Sequence, residues 1–300
     1  MNYLTELIKL GFLVEPNAAE LLKNLNQGEF EKLLENLKKE ESLVLSEKFI
    51  KKIFKKEIKI IKTFIPIKKL SIQDFVNMLN NRYNFLQNIL VNKLAMENII
   101  SINKVSSGNT TIIGMVKIRQ EKNNNLIVWL EDQTGEIETI IPKMLGEKIN
   151  LDDVIAITGN ISNKKLYGEK IIFPDIPIRR VNYSDDSIKI AFILNGKDYD
   201  ADYLIYENKI KDKLNNKILE ITNPSIVSIG GIIILIAHKF EPFEILKKRY
   251  IHKDKTDFLI DNVPDILFTD RKINTNYKGV TIVSGNNLIN LKTREVISLE

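Results

Sequence analysis

The segment between residues 96 and 180 constrains the fold most strongly, because it alternates apolar runs with polar turns. Two tight turns, Glu121-Lys-Asn-Asn-Asn125 and Asp132-Gln-Thr-Gly135, separate the first three of these runs. The pattern predicts five strands, at residues 110–120, 126–131, 136–141, 154–160 and 165–172. Five strands of this order and length within about 75 residues are typical of an OB-type barrel.

Barrels of this type bind single-stranded nucleic acid when their open face carries aromatic residues between basic ones. The segment offers a sparse set of such residues. The candidate nucleic-acid-binding residues are Lys117, Arg119, Trp129, Lys164, Lys165 and Tyr167. The competing interpretation, which the small size of the set favours, is that Trp129 packs in the core or in a protein interface.

Residues 1–56 have leucine, isoleucine and phenylalanine at helical spacing, interrupted at Gly11, Pro16 and Gly28. The spacing predicts four short amphipathic helices, which form a small bundle of the kind that often serves as a docking module. A basic run begins in the last helix, and it forms either a nucleic-acid patch or, as we favour, a solvated face that continues into a linker. Its lysines are Lys51, Lys52, Lys55, Lys56, Lys59 and Lys62.

Residues 57–95 are predicted to contain a basic linker with Pro66, followed by one long helix. The sequence Ser71-Ile-Gln-Asp74 has the spacing of a capping box, which marks the start of a helix. Apolar residues then recur with helical period and predict a stripe for core or inter-domain packing. The stripe consists of Phe75, Leu79, Tyr83, Leu86 and Leu90.

Residues 181–300 follow the boundary Phe173-Pro-Asp-Ile-Pro177 and alternate strand and helix patterns, as in an α/β or α+β domain. We predict a strand at 188–194, a helix at 203–219 and a hairpin about Gly230-Gly231. A helix at 241–250 and a strand at 265–268 come next. The segments 279–284 and 288–291 are expected to pair across Gly285-Asn286-Asn287.

The composition excludes several kinds of chemistry. The 300 residues include no cysteine, so disulfides, thiolate nucleophiles and cysteine-based metal sites are excluded. His238 and His252 are the two histidines, fewer than a two-metal phosphoesterase usually needs. The net charge of +5 weakly favours binding to polyanions. The sequence shows no apolar run of about 18 residues and no secretory signal, so we expect an intracellular protein that does not bind membranes.

Several segments, in this order and at these spacings, resemble the small subunit of the archaeal D-family DNA polymerase. The resemblance covers most of the chain. The matching segments are Asp74-Phe75 with Arg82-Tyr83, Ile113-Gly-Met-Val116, Leu130-Glu-Asp-Gln-Thr-Gly135, Leu151-Asp-Asp-Val-Ile-Ala-Ile-Thr-Gly159, Tyr167-Gly-Glu-Lys-Ile-Ile-Phe-Pro-Asp-Ile-Pro177, Asn223-Pro-Ser-Ile-Val-Ser-Ile-Gly-Gly231, Asn262-Val-Pro-Asp-Ile-Leu267 and Leu291-Lys-Thr-Arg-Glu295.

The resemblance implies three parts: a helical N-terminal bundle, an OB-fold barrel and a truncated α/β domain of the calcineurin-like phosphoesterase type. It also implies where two metal ions would bind, and there the chain departs from the family. The family's Asp-x-His falls on Asn195-Gly196-Lys197, its later histidine on His238, and its Gly-His-x-His on Asp270-Arg271-Lys272-Ile273. The family's middle motifs have no counterpart, since only about 25 residues separate Lys197 from Asn223.

The degenerate positions are therefore Asn195, Lys197, His238, Asp270, Arg271, Lys272 and Ile273. A lysine would place a positive charge where a cation should bind, so we expect no catalytic residue, no bound metal and no cofactor. The alternate aspartates Asp198, Asp200 and Asp202 with His238 are a candidate for a rebuilt cation site, and we favour a solvated helix entry instead.

The resemblance implies an accessory or architectural subunit of a DNA-replication assembly, located in the cytoplasm with the nucleoid. Its partner would be the catalytic large subunit of a DNA polymerase or another replisome protein. An OB protein that binds single-stranded DNA weakly is the alternative. A residual metal-dependent 3′–5′ exonuclease that uses His238 is the third hypothesis.

Overall fold

The computed structural model describes residues 3–23, 25, 27–39, 43–55, 58–67, 69–95, 98–213 and 217–299, without the side chains of residues 29, 32, 51, 52, 54 and 55. Within these ranges the chain is a mixed α/β protein with one closed five-stranded barrel, two six-stranded sheets and two smaller sheets. None of the described helices is long and apolar enough to cross a membrane.

The N-terminal region has the four predicted helices: α1 (Tyr3–Lys9), α2 (Pro16–Leu22), α3 (Gln27–Lys39) and α4 (Glu47–Lys55). They enclose a small core that includes Leu7, Leu22 and Leu33. A parallel pair of two-residue strands, β1 (Leu13–Val14) and β2 (Val44–Leu45), joins the helices and was not predicted. The basic patch lies largely outside the described residues, since Lys56 and the side chains of Lys51, Lys52 and Lys55 are not among them.

The next region contains β3 (Lys59–Thr63) and the long helix α5 (Ile72–Lys93). The predicted capping box is present, because the Asp74 amide donates to the Ser71 hydroxyl and the Ser71 amide donates to the Asp74 carboxylate, both at 3.1 Å. The Ser71 hydroxyl also donates to the Asp74 carboxylate at 2.7 Å, and this bond, together with the one from the Ser71 amide, lowers the pKa of Asp74. The predicted apolar stripe is only half buried: Leu86 lies in the core, whereas Phe75 is 45% exposed.

The barrel contains β4 (Gly108–Lys122), β5 (Asn125–Asp132), β6 (Gly135–Pro142), the short helix α6 (Lys143–Gly146), β7 (Val154–Ser162) and β8 (Lys165–Ile172). The five strands close in the order β4-β5-β6-β8-β7, as the OB-type prediction requires. Gly159 lies at a register shift between β7 and β8, where a Cβ would meet the Tyr167 carbonyl oxygen at 2.0 Å. A glycine is therefore required at this close approach.

The C-terminal region has the following elements: β9 (Lys189–Phe192), β10 (Tyr203–Tyr206), β11 (Lys209–Asp212), β12 (Lys217–Glu220), β13 (Ser225–Ile229), β14 (Ile232–Ile236), α7 (Pro242–Lys248), β15 (Tyr250–Lys253), β16 (Thr256–Leu259), β17 (Ile266–Thr269), β18 (Thr275–Tyr277), β19 (Val280–Ser284), β20 (Asn287–Asn290) and β21 (Val296–Ser298). Their two sheets have the orders β12-β11-β10-β9-β20-β21 and β18-β19-β17-β14-β13-β3.

The two sheets pack face to face around a shared apolar core. Phe192 from the first sheet stacks on Phe268 from the second, with ring centres 5.2 Å apart. The outer face of the second sheet is covered by α7 and the β15–β16 hairpin, through residues such as Leu246 and Phe258. The assignment of this sandwich to the calcineurin-like type and the predicted domain boundaries remain predictions.

The predicted helix at residues 203–219 is wrong, because β10, β11 and β12 form an antiparallel meander there. The short apolar run 203–206 fits a buried strand as well as a helical segment, and periodicity alone does not separate the two. Asn208 has a φ of 65°, which closes the turn between β10 and β11. Asp198, Asp200 and Asp202 therefore precede a strand, and the expected helix entry does not exist.

Two pairings also differ from the predictions. The segments 279–284 and 288–291 do not form a hairpin, since β19 pairs with β17 and β18 while β20 pairs with β9 and β21 in the opposite sheet. The linker at 57–70 contains an edge strand, because β3 pairs antiparallel with β13. The predicted hairpin about Gly230-Gly231 is confirmed, with φ values of 58° and 77° at the two glycines.

A buried arginine joins the long helix, the barrel and the C-terminal region. Arg82 on α5 binds both carboxylate oxygens of Asp257 on β16, at 2.6 and 2.8 Å. It also donates to the Asp152 carbonyl oxygen before β7 at 3.1 Å, and its guanidinium lies 4.6 Å from the ring centre of Tyr250. Both charged side chains are less than 5% exposed, and Asp257 also contacts the ring of the exposed His252 at 2.8 Å, so Arg82 is the permanent cation that balances the buried carboxylate.

We expect the Arg82→Met substitution to lower the free energy of unfolding by about 3–5 kcal/mol, because it leaves the Asp257 carboxylate buried without its cation. Urea denaturation of the full chain measures this loss. The Arg82→Met/Asp257→Leu double variant removes both charges and should lose less than the sum of the two single variants. Additive losses would show that the pair is not coupled.

Candidate functional site

The positions where the family would bind metal lie at one edge of the sandwich. Because β14, β17 and β19 are parallel neighbours, their carboxyl ends share an edge, and β9 ends opposite them in the other sheet. Asn195-Gly196-Lys197 follows β9, His238 follows β14 and Asp270 follows β17. The structure therefore brings these sequence-predicted positions to the same edge.

The loop after β9 is closed by amide hydrogen bonds. The Asn286 side-chain oxygen accepts from the backbone amides of Leu194 and Asn195, at 2.9 and 3.3 Å. The Asn195 side chain donates to the Tyr199 hydroxyl at 2.9 Å and accepts from the Lys197 amide at 3.1 Å. These side-chain amides thus hold the loop in place, and the Lys197 side chain is exposed.

His238 is buried and is held by Asn223. The Asn223 side chain accepts from the His238 amide at 3.2 Å and donates to the His238 carbonyl oxygen at 3.0 Å. Within the described residues the ring Nε2 has no hydrogen-bond partner, and Nδ1 lies 3.9 Å from the Glu207 carboxylate. Burial lowers the pKa of His238, and the nearby Glu207 opposes this shift. The imidazole is therefore neutral near pH 7, and its ring centre lies 5.5 Å from that of Phe192.

The segment after β17 is also held by local contacts. Asp270 accepts the Lys239 amide at 2.8 Å, and the Arg271 guanidinium lies 3.7 Å from Glu241. Lys272 is exposed, whereas Ile273 packs against the core beside α7. The segment thus presents two cations and an apolar residue at the position of the family's last motif.

The alternate aspartates are engaged separately. Asp198 pairs with Lys211 and Lys213 at 3.4 and 3.3 Å. Asp202 accepts the Lys189 amide at 2.8 Å. Across the described part of the chain, no group of three or more histidine or carboxylate side chains is arranged to hold a metal ion.

The barrel exterior brings three of the six predicted nucleic-acid residues together. Trp129 on β5 lies opposite Glu138 on β6, and Lys165 on β8 contacts Glu138 at 2.8 Å. Tyr167 lies opposite Ile140 on β6 and is 41% exposed. Trp129 is half-buried and belongs to the outward-facing residues of its strand. Lys164 occupies the turn between β7 and β8, next to this face.

The other two predicted basic residues are paired with glutamates. Lys117 lies at a bulge in β4 and contacts Glu131 and Glu136. Arg119 donates to the Ile149 carbonyl oxygen at 2.9 Å and contacts Glu121 at 3.2 Å. The hydrogen bond with Glu136 raises the pKa of Lys117, as the bond with Glu138 does for Lys165.

Sequence patterns did not reveal the residues that hold these positions. Glu207 and Asn223 come next to His238 only through the pairing of the sheets. Asn223 was singled out as part of a matching segment, which was the one available signal for its role. Glu138, which neutralises Lys165, had no such signal.

Comparison with curated proteins gave seven significant relatives, all archaeal DNA polymerase II small subunits. The chain is a homologue of these small subunits. Identity is 32% over 131 residues with the Methanothermobacter thermautotrophicus protein, which covers 41% of this chain and 27% of that one. Sequence identity with the Thermoplasma acidophilum protein is 29% over 186 residues, and this alignment covers 57% of this chain and 38% of the relative.

The aligned region thus spans well under half the length of these relatives. The resemblance to the D-family small subunit is confirmed by them. No family model matches the chain. Among solved structures, Pyrococcus horikoshii asparaginyl-tRNA synthetase aligns with 24% of this chain and 22% of its own chain, at 13% identity. The TM-score of 0.23 is too low to support a functional argument.

The buried histidine of this homologue predicts a loss of stability in acid. Because burial lowers the pKa of His238 below its ordinary value of 6.5, the unfolded chain binds the proton more readily than the folded one. The contribution of His238 to stability is present above pH 6.5 and is lost as the pH falls below it. We expect the free energy of unfolding to fall less between pH 7 and about pH 5 in His238→Gln than in the unsubstituted chain.

Urea denaturation at several pH values measures this difference. The comparison variant is His252→Gln, which removes the exposed imidazole that lies 2.8 Å from the Asp257 carboxylate, so any acid loss at the Arg82–Asp257 pair is measured separately. An equal acid loss in His238→Gln and the unsubstituted chain would contradict the assigned role of the buried imidazole.

Proposed function

We propose that this chain is a non-catalytic accessory subunit of a DNA polymerase assembly, which acts by protein–protein docking. The similarity to seven DNA polymerase II small subunits supports a polymerase subunit of DNA replication. In this proposal the partner is the catalytic large subunit. The barrel and the sandwich bind this subunit, and the sandwich is a degenerate calcineurin-like domain. The helices of residues 1–56 recruit further replication proteins at the nucleoid.

The side chains at the edge of the sandwich are the observation that supports a non-catalytic subunit. Two ions that activate water need carboxylates and imidazoles as acceptors around them. Here Asn195 and Asn286 bond the backbone, and Lys197 and Lys272 contribute positive charge. The one histidine at this edge is buried beneath Phe192. These side chains favour a structural role for the edge.

The barrel exterior supports docking to protein. Trp129 and Tyr167 share this face with the half-buried Ile127 and Ile140, and aromatic residues among apolar ones are typical of protein interfaces. Four of the eight basic side chains in the barrel contact glutamates, which weakens the positive field that a phosphate backbone needs. These are Lys117, Arg119, Lys143 and Lys165.

Single-strand binding by the same face is the second candidate, because Trp129 and Tyr167 could stack on bases and Lys164 lies beside them. The two candidates share the aromatic residues but differ in their dependence on salt. Docking through an apolar face changes little between low and physiological salt, whereas binding to phosphates weakens steeply.

The decisive experiment for docking is purification of the tagged full chain with the recombinant large subunit of the host's D-type polymerase. We expect a stable complex, and we expect Trp129→Ala/Tyr167→Ala to weaken it about tenfold or more. The matched control is Tyr183→Ala, which truncates a 54% exposed aromatic residue outside the barrel strands. Recovery of the unsubstituted chain only as a free monomer would refute the proposal.

Binding to single-stranded oligonucleotides is measured with the same proteins. We expect no binding tighter than about 10 μM at 0.15 M salt, because four of the barrel cations are paired with glutamates. Micromolar or tighter binding with a steep salt dependence, reduced in Trp129→Ala or Arg119→Ala, would instead support the single-strand-binding candidate.

We also expect no digestion of single-stranded DNA when manganese is added, because the edge of the sandwich offers ammonium and amide groups in place of ligands. Gel assays with the full chain test this. Manganese-stimulated digestion that disappears in His238→Ala would favour the residual exonuclease instead.

A further inference from the structure

The apolar stripe of α5 extends beyond the surface that covers it. Its C-terminal half is buried against the barrel, where Tyr83 and Leu86 are 5% and 0% exposed. Its N-terminal half is partly exposed to solvent, with Ile72, Phe75 and Val76 at 87%, 45% and 42% exposure. About two turns of the helix, close to 10 Å, thus present an uncovered apolar ridge.

The uncovered part of the stripe forms one wall of a cleft. A cleft of about 430 Å³ lies between α5 and strands β4 and β5 of the barrel. Val76 and Leu79 line it from the helix, and Met115 lines it from the barrel. Gln133 donates to the Asn84 side chain at 2.8 Å and joins the β5–β6 turn to the helix beside the cleft.

The polar lining of the cleft is acidic. Glu131, Asp132 and Asp152 contribute three carboxylates and Lys117 one ammonium, a formal charge of −3 + 1 = −2. Lys117 lies 3.4 Å from Glu131, so this ammonium is already engaged. Asp132 accepts hydrogen bonds from neutral backbone amides, and its negative charge adds to the effect of burial in raising the pKa of Tyr83.

We propose that this cleft binds a basic amphipathic segment of a partner protein. The apolar side of such a segment would cover Val76 and Leu79, and its lysine or arginine side chains would meet Glu131 and Asp152. Because the whole chain carries a net charge of +5, a basic segment is repelled by the rest of the surface, and attraction must come from this local acidic site. Phosphate groups are disfavoured here, because the carboxylates of the lining repel them.

The cleft adjoins the Trp129 face through Glu131 on the same strand, so the inference is tested separately from the proposed function, with synthetic peptides and no large subunit. The probe is a fluorescent peptide of about 15 residues with leucine at helical spacing and lysine at the remaining positions. The comparison probe has glutamate in place of every lysine. Anisotropy titration with the full chain is expected to show tighter binding of the lysine peptide, with an affinity that falls as salt increases.

Two variants test the two contributions. Glu131→Gln/Asp152→Asn brings the formal charge of the lining to about zero, and asparagine is compatible with the left-handed backbone at residue 152, where φ is 64°. We expect this double variant to weaken binding of the lysine peptide about tenfold. Val76→Asn removes exposed apolar surface without adding charge and should also weaken binding.

The matched control for charge is Glu169→Gln/Asp254→Asn, because neither residue lines the cleft. Glu169 is an exposed residue of a strand, and Asp254 has a left-handed backbone with a φ of 46°, as Asp152 does. The control for the apolar arm is Ile178→Asn, at a residue that is 84% exposed. Equal binding of the two peptides, or equal loss in the cleft and control variants, would overturn the proposal. A dimer in sedimentation that Val76→Asn dissociates would also overturn it, because a second copy would then cover the ridge.

Discussion

The ion pair between Arg82 and Asp257 positions the three main parts of the molecule relative to one another. Its bidentate geometry fixes α5 against the β15–β16 hairpin, and the third donor bond to the Asp152 carbonyl fixes the same helix against the barrel. A buried arginine and a buried carboxylate are each costly alone, so the arrangement in which they meet is strongly preferred over its alternatives. The uncovered ridge at the N-terminal end of α5 is a consequence of that fixed position.

The loops at the edge of the sandwich are held by side-chain hydrogen bonds to the backbone. Asn286 and Asn223 bond backbone groups of the loops that follow β9 and β14, and Asp270 does the same beside β17. Such side-chain hydrogen bonds stabilise the loops without any ion. The same edge in a metal-dependent enzyme would direct these side chains at the ions, so the loops here are held by the protein itself.

Local patterns predicted much of the fold and a smaller share of the candidate site. The barrel strands and the start of α5 were predictable, because tight turns and the Ser71–Asp74 capping box are properties of neighbouring residues. The sequence also identified His238 and Trp129 as residues to examine. It did not identify Glu207 or Glu138, which determine the charge around them, because these contacts depend on strands that pair far apart in the chain.

Local patterns in the sequence predict the closed barrel, the four N-terminal helices and the long helix. Only the tertiary structure decided that residues 203–219 form strands, that β19 and β20 belong to opposite sheets, and that half of the α5 stripe is uncovered. The physical reason is the same in each case. Short apolar runs satisfy either helix or strand locally, and the surface that buries them, supplied by distant residues, makes the choice.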